Sequence, residues 1–193
     1  MATSRSDWVD IYLRQLSETI DSMSREAIWS VIEVLVDAWR NGRHVFIFGN
    51  GGSASTASHM ANDLNKLTII PGKPRFKAMC LNDNVPLMTA WSNDMAYENA
   101  FAEQMLNFLE PRDVVIGISC SGNSLNVLKA LSLARERGAV TVSFTGSGGG
   151  QCKDLADYCI TVPSDHIGHQ EDAHLILDHV IANTLKQLIL AEP

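Results

Sequence analysis

The chain has no long apolar run, no paired-cysteine motif and no block of like charge, and each absence removes a class of protein. No stretch approaches the ~20 consecutive apolar residues that a bilayer-spanning helix needs, so no membrane partner is expected. Lysine and arginine number 15 against 22 aspartates and glutamates, a net charge of −7. No dense basic run supplies the cationic face that grips a phosphate backbone, so nucleic acid is not an expected partner either. The four cysteines, Cys80, Cys120, Cys152 and Cys159, form no C-x-x-C pair and no two-cysteine zinc spacing. Three sit in apolar stretches, where a thiol behaves as a small hydrophobe, and Cys120 falls in a loop; this suits a reducing compartment. The opening MATSRSDWVD lacks the charged-then-apolar pattern of a secretory signal, and a cytoplasmic location is the expectation. What remains is a globular composition, 46% apolar and 19% charged over 193 residues, with no repeat or linker to divide a single domain.

Periodicity supplies the architecture. Trp8, Tyr12, Leu16, Ile20 and Met23 recur at helical spacing, and Ile28, Val31, Ile32, Leu35 and Trp39 repeat the pattern up to Asn41-Gly42, a good helix stop. From there short apolar strands alternate with helices. Strands are predicted at 44–48, 76–81, 114–119, 140–145 and 158–162, with helices from the first Gly loop to about Lys66, over 85–93 and 97–109, from the second loop to Gly138, and over 171–190. Such alternation implies right-handed βαβ units, hence an α/β fold with a doubly wound, five-stranded parallel sheet flanked by helices. That core, 43–193, does not need the two leading helices to cover its faces. Residues 1–42 are therefore expected to serve oligomerisation, with Trp8, Leu16 and Trp39 packing on other copies.

Ligands of such sheets bind at the carboxyl ends of the strands, which directs attention to two loops. The first, Gly49-Asn50-Gly51-Gly52-Ser53-Ala54, lets backbone approach a ligand closely and opens a helix whose free N–H groups favour an anion. It also fits G-x-G-x-x-A, yet the second strand ends only at Leu81-Asn82-Asp83, later than a dinucleotide site wants its acidic residue. The second loop is Ser119-Cys120-Ser121-Gly122-Asn123-Ser124. One serine would cap the following helix; three are more than capping needs, and they suit a phosphate monoester. No GK[ST] is present, which argues against a P-loop. Elsewhere, His59 and Asp63 lie four apart on one helix face, either a surface ion pair or half of a metal site. The last helix offers Glu171, Asp172, His174, Asp178 and His179, and bringing the two helices together would complete a four-ligand set.

GNGGSASTASHMANDL, the Ser92-Asn93-Asp94 segment with Gln104 downstream, SCSGNS, FTGSGGG and the His-bearing last helix, in this order over nearly the whole chain, resemble the SIS (sugar isomerase) domain, and within it the phosphoheptose isomerase group. The resemblance implies phosphate contacts at Ser53, Ser119, Ser121 and Ser124, alongside Gly51 and Gly52. It places Asn50, Asp94 and Gln104 in the substrate pocket or at its subunit border. It also implies a homotetramer with sites between subunits and a zinc ion on His59, Asp63, Glu171 and His179. Two residues depart from the family pattern: Asp63 stands where Glu is usual, and Glu171 where Gln is usual. Gln170, one position earlier, could restore the amide by a shift, but the His174–His179 spacing equals the family's and favours Glu171. Cys120 stands where Thr is common, at a helix start that can lower a thiol pKa.

The expected function is aldose–ketose isomerisation of a sugar phosphate through an enediol(ate), with sedoheptulose 7-phosphate as first choice. Such chemistry needs two titratable groups at C1 and C2; His179 is read as base and Asp63 as acid or orienter, with Cys120 and Glu171 lining the substrate site. A non-catalytic SIS module resembling a replication regulator is the alternative, and it would not need His59, Asp63 and His179 together. A nicotinamide-dependent oxidoreductase is a more distant one, disfavoured by the serine-rich loop.

Overall fold

A computed structural model describes residues 5–192. Eight helices and five strands follow one another as α1 (Arg5–Ser22), α2 (Arg25–Arg40), β1 (His44–Gly49), α3 (Gly52–Lys66), β2 (Lys77–Cys80), α4 (Val85–Asp94), α5 (Ala100–Met105), β3 (Val114–Ser119), α6 (Leu125–Glu136), β4 (Val140–Thr145), α7 (Gly150–Leu155), β5 (Tyr158–Thr161) and α8 (Ile167–Ala191). The strands are all parallel, in the order β2-β1-β3-β4-β5. Side chains alternate across the sheet. Val45 and Ile47 face one core with α2, α3 and α8, while Phe46 and Phe48 face the other with α5 and α6. Both faces of every central strand are covered, which is why β1 and β3 read as largely apolar runs; β4 alternates instead, with Thr141, Ser143 and Thr145 all buried.

The doubly wound five-stranded sheet agrees with the pattern in the sequence. Three elements differ. Residues 97–109 split into a 3-10 turn at Tyr97–Asn99 and the short α5. Helix α7 was not anticipated, because six residues opened by a run of glycines carry no periodicity. Helix α8 starts four residues before 171, at Ile167, with Ser164 Oγ accepting from His166 N–H at 3.2 Å beside its start.

The two leading helices have different fates. Val31, Ile32, Leu35, Val36, Ala38 and Trp39 of α2 are buried, and each such aliphatic side chain contributes about 1.5–3 kcal/mol. The Trp39 indole N–H donates to the Pro74 carbonyl at 2.9 Å. Trp39 therefore belongs to the core rather than to a surface free for another copy, and α2 covers the sheet after all. Helix α1 is the open one: Trp8 and Leu13 are 64% and 57% exposed.

His174, on α8, is fully buried, its Nε2 lying 3.2 Å from the Thr145 carbonyl while Nδ1 has no partner. A carbonyl only accepts, so Nε2 carries the proton and the ring is neutral. Burial pushes its pKa down from 6.5 to about 4, against the raising effect of the Thr145 bond. A pKa lower in the folded than in the unfolded state means that the unfolded chain takes up the proton first. Stability is then intact above pH 6.5 and falls as pH drops towards 4, by up to about 3 kcal/mol for this group. Urea unfolding at pH 7 and pH 4.5 should show that loss in the wild type, and His174→Gln, which keeps an N–H donor but does not titrate in this range, should reduce it.

Candidate functional site

The strand order reverses between β1 and β3, and Gly49 at the end of β1 pairs with Ile118 near the end of β3. The Gly loop and the Ser loop therefore leave the sheet side by side, at the point where doubly wound sheets bind ligands. Asn50 and Asn126 tie them together: each amide donates to the other's oxygen, at 2.9 and 2.8 Å, and the Tyr97 hydroxyl donates to Asn50 Oδ1 at 2.7 Å. Ser119 Oγ stands 3.4 Å from Ser121 Oγ and 3.2 Å from Ser124 Oγ. Ser124 occupies the N-cap position of α6, yet its side chain makes no capping bond, and Ser121 Oγ accepts from Asn123 N–H at 3.2 Å. The Ser124 hydroxyl is thus left for something other than the helix. With Ser53, Cys120 and Glu171 these residues line a pocket of about 180 Å³. No lysine or arginine is among its lining residues, so an anion there would be held by hydroxyls and by the N–H groups opening α3 and α6.

Two glycines make this geometry possible. A Cβ on Gly52 would lie 2.3 Å from a Glu171 carboxylate oxygen, so its absence admits Glu171 to the pocket. Gly122 has φ +64°, and a Cβ there would meet the Gly149 carbonyl at 2.0 Å. The Ser loop is seated on the Gly-rich turn that opens α7, which gives that short helix its role.

A second group of side chains lies along the seam between α3 and α8. These helices run parallel: Gly52 meets Glu171 at one end and His59 meets His179 further on. His59, Asp63, Asp178 and His179 each bring a ligand-type atom to within 4.8 Å of the others. His59 Nε2 is 3.2 Å from His179 Nε2, 3.8 Å from Asp63 Oδ2 and 4.0 Å from Asp178 Oδ2. The imidazoles are exposed and the carboxylates buried. Asp63 accepts one bond, from Asn62 Nδ2 at 3.0 Å. Asp178 is fully buried with neither oxygen hydrogen-bonded; burial pushes its pKa up from 3.8 to about 7, with the Asp63 carboxylate adding to the rise. Neutral imidazole nitrogens and carboxylate oxygens are suitable zinc donors, and an orphaned buried carboxylate is what a bound cation would satisfy.

Set against the sequence, the structure brings His59, Asp63 and His179 together and gathers Ser53, Ser119, Ser121 and Ser124 around one pocket. Glu171 is not in the metal-type cluster. It lies about two helical turns before His179 and its carboxylate turns into the serine pocket. Gln170 does not replace it there: its amide donates to the Ser164 carbonyl at 2.6 Å and packs on Gly146. Asp94 is exposed and accepts from Asn93. Gln104 is buried, donates to the Ala100 carbonyl and lines a different cavity of about 760 Å³ with Ser58, Asn62 and Lys66. Neither joins the serine pocket within one chain. Burial raises the Cys120 thiol pKa, and nearby Glu171 adds to this, the opposite of the lowering expected from a helix start. Sequence reasoning named Asp178 on the last helix but left it out of the ligand set; its spacing of seven from Glu171, which puts both on one stripe, was the available signal.

Gly122→Ala would force a side chain into left-handed backbone against a carbonyl, a strain on the order of 1–3 kcal/mol before any clash. The variant should melt lower than wild type by differential scanning fluorimetry, with the Ser loop displaced in its crystal structure.

Comparison with known proteins places this geometry. The SIS domain family matches residues 10–146. A phosphoheptose isomerase of Akkermansia muciniphila is 35% identical over 165 residues, 84% of this chain and 85% of that protein. The lincomycin biosynthesis protein LmbN of Streptomyces lincolnensis is 42% identical over 147 residues, 73% of this chain and 54% of its own length. The solved structure of a phosphoheptose isomerase from Francisella tularensis superposes with a TM-score of 0.88 at 26% identity, covering 95% of this chain and 99% of that one. The chain belongs to the SIS domain family, in its phosphoheptose isomerase group.

Proposed function

We propose that the chain is a sugar-phosphate isomerase that interconverts an aldose and a ketose through an enediol(ate), with sedoheptulose 7-phosphate and a heptose 7-phosphate as its pair. The observation that carries this reading is the layout of the α3–α8 seam. A hydroxyl-rich anion pocket opens at the start of α3, beside Ser53, and a titratable cluster stands at His59. The seven residues from Gly52 to His59 rise about 10 Å, a spacing suited to a substrate held by its phosphate with its carbonyl end at the cluster. Anchoring the far end supplies positioning energy for the near end.

In this reading Ser53, Ser119, Ser121 and Ser124 bind phosphate, Gly51 and Gly52 bring backbone N–H groups to it, and the paired Asn50 and Asn126 amides hold the two loops in register. His179 takes the carbon-bound proton and Asp63 serves the oxygens. A divalent ion, zinc first, would be held by His59, Asp63 and His179, and when bound would polarise the carbonyl and stabilise negative charge on the oxygens. Each of these side chains has two donor atoms, so one can face an ion while the other handles a proton. Exposed Trp8, Val9 and Leu13 on α1 suit contact with other copies, and we place the enzyme in the cytoplasm as a homotetramer, with Asp94 and Gln104 completing a neighbour's site.

Incubating the protein in heavy water with ketose phosphates of different chain length tests the activity. Deuterium should appear at C2 of one aldose product, and His179→Ala should abolish both exchange and turnover while the far-UV spectrum is kept. Loss of neither would remove His179 from the chemistry. The phosphate reading has its own check. Each charge-assisted hydrogen bond is worth about 1.5–3 kcal/mol. Ser121→Ala with Ser124→Ala should therefore raise KM by about a hundredfold or more, with little change in melting temperature.

A further inference from the structure

We propose that Asp178 is a metal ligand of this chain, completing a His59, Asp63, Asp178 and His179 set from which Glu171 is absent. The inference rests on the metal reading above and deepens it. Its starting point is an electrostatic imbalance. Asp63 and Asp178 are both buried, on facing helices, with one amide hydrogen bond between them. A buried carboxylate without a donor is among the costliest arrangements in a folded protein. The imidazoles of His59 and His179 stand close by, and their Nε2 atoms face each other at 3.2 Å; Lys66 and Lys186 line a cavity with Asp63 but form no ion pair with it among the described residues. Two facing ring nitrogens can share one proton at most without repulsion, so the imidazoles cannot both point N–H groups at the acids. Four lone-pair donors thus converge with too few protons among them, which is the arrangement a small dication resolves.

Reach supports the same assignment. Asp63 is one methylene shorter than a glutamate. A carboxylate from α8 at the level of His59 compensates, and Asp178 stands there, with Oδ2 4.0 Å from His59 Nε2. Glu171 is two turns away, against Gly52 and the serines. Two carboxylates and two imidazoles make a neutral set for a 2+ ion, whereas losing either acid would leave +1. Glu171 is then a carboxylate facing the sugar rather than the ion.

The test is metal affinity measured without turnover. Wild type, Asp178→Asn, Asp178→Leu, Glu171→Gln and His59→Ala are stripped with chelator. They are titrated with Co2+ by visible absorption and with Zn2+ by calorimetry, and melted with and without zinc. The wild type should take one ion per chain. Both Asp178 variants should bind at least about tenfold more weakly, and Glu171→Gln should stay within about twofold of wild type. The stripped Asp178→Leu variant, rid of a buried charge, should melt no lower than stripped wild type and should lose the rise that zinc gives. Tight binding by both Asp178 variants, with Glu171→Gln impaired instead, would overturn the proposal and leave the metal reading standing. A stripped wild type that takes no ion removes the metal reading, and this proposal with it.

Discussion

The parallel pairing of β1 with β3 is the constraint on which the site depends. These strands are neighbours in the sheet but not in the chain, because β2 pairs on the other side of β1. The crossovers therefore leave in opposite directions, and a crevice opens at the carboxyl ends where they part. Everything that could hold an anion is placed by that event: the Gly loop, the three serines, and the first turns of α3 and α6. The Asn50–Asn126 amide pair then locks the two loops at hydrogen-bond distance, so the pocket is preformed rather than assembled around a ligand.

The second placement is made by α8. It is the last element in the chain, yet it lies along α3, the first helix after the sheet begins, and the two run parallel. In a parallel pair, residues advance together, so Gly52 with Glu171 and His59 with His179 are successive rungs of one ladder. The titratable cluster and the Gly52–Glu171 edge of the serine pocket are thereby carried on the same two helices, which sets the spacing between them by helix rise.

Much of this was legible in the sequence, and the parts that were not have physical reasons. The five strands and their parallel sense follow from short strand-like runs alternating with helices, most plainly in β1 and β3, where both faces of the sheet are covered by apolar side chains. The Ser loop was legible because it holds more hydroxyls than a cap needs. Helix α7 was not, since six residues carry no period and its purpose, supporting Gly122, exists only in three dimensions. That one face of α2 covers the sheet was not legible, because an amphipathic helix looks the same whether its partner is its own sheet or another copy; Trp39 lies on the buried face, its indole bonded to the Pro74 carbonyl, while Trp29 of the same helix is exposed. The family resemblance assigned Glu171 to the ion, with the His174–His179 spacing choosing it over Gln170. Spacing cannot say which rung of a facing helix a side chain meets, and Gly52, by leaving room for the carboxylate, decides that it meets the first.

The two departures from the family pattern can then be understood as one change rather than two. Shortening the acid on α3 to Asp63 draws its carboxylate back towards the helix, and under the proposal above an ion bound to it would sit closer to α3. The carboxylate that α8 brings to that cluster is the buried Asp178, and not Glu171, which lies one rung away in the serine pocket. Once Glu171 is released from the ion it can carry a charge of its own, and a carboxylate replaces the neutral amide where the sugar's hydroxyls would lie. A carboxylate accepts hydrogen bonds from hydroxyls and donates none, so it selects for the number and direction of O–H groups in a way an amide does not. The site's altered electrostatics and its choice of sugar are, on this argument, consequences of the same missing methylene.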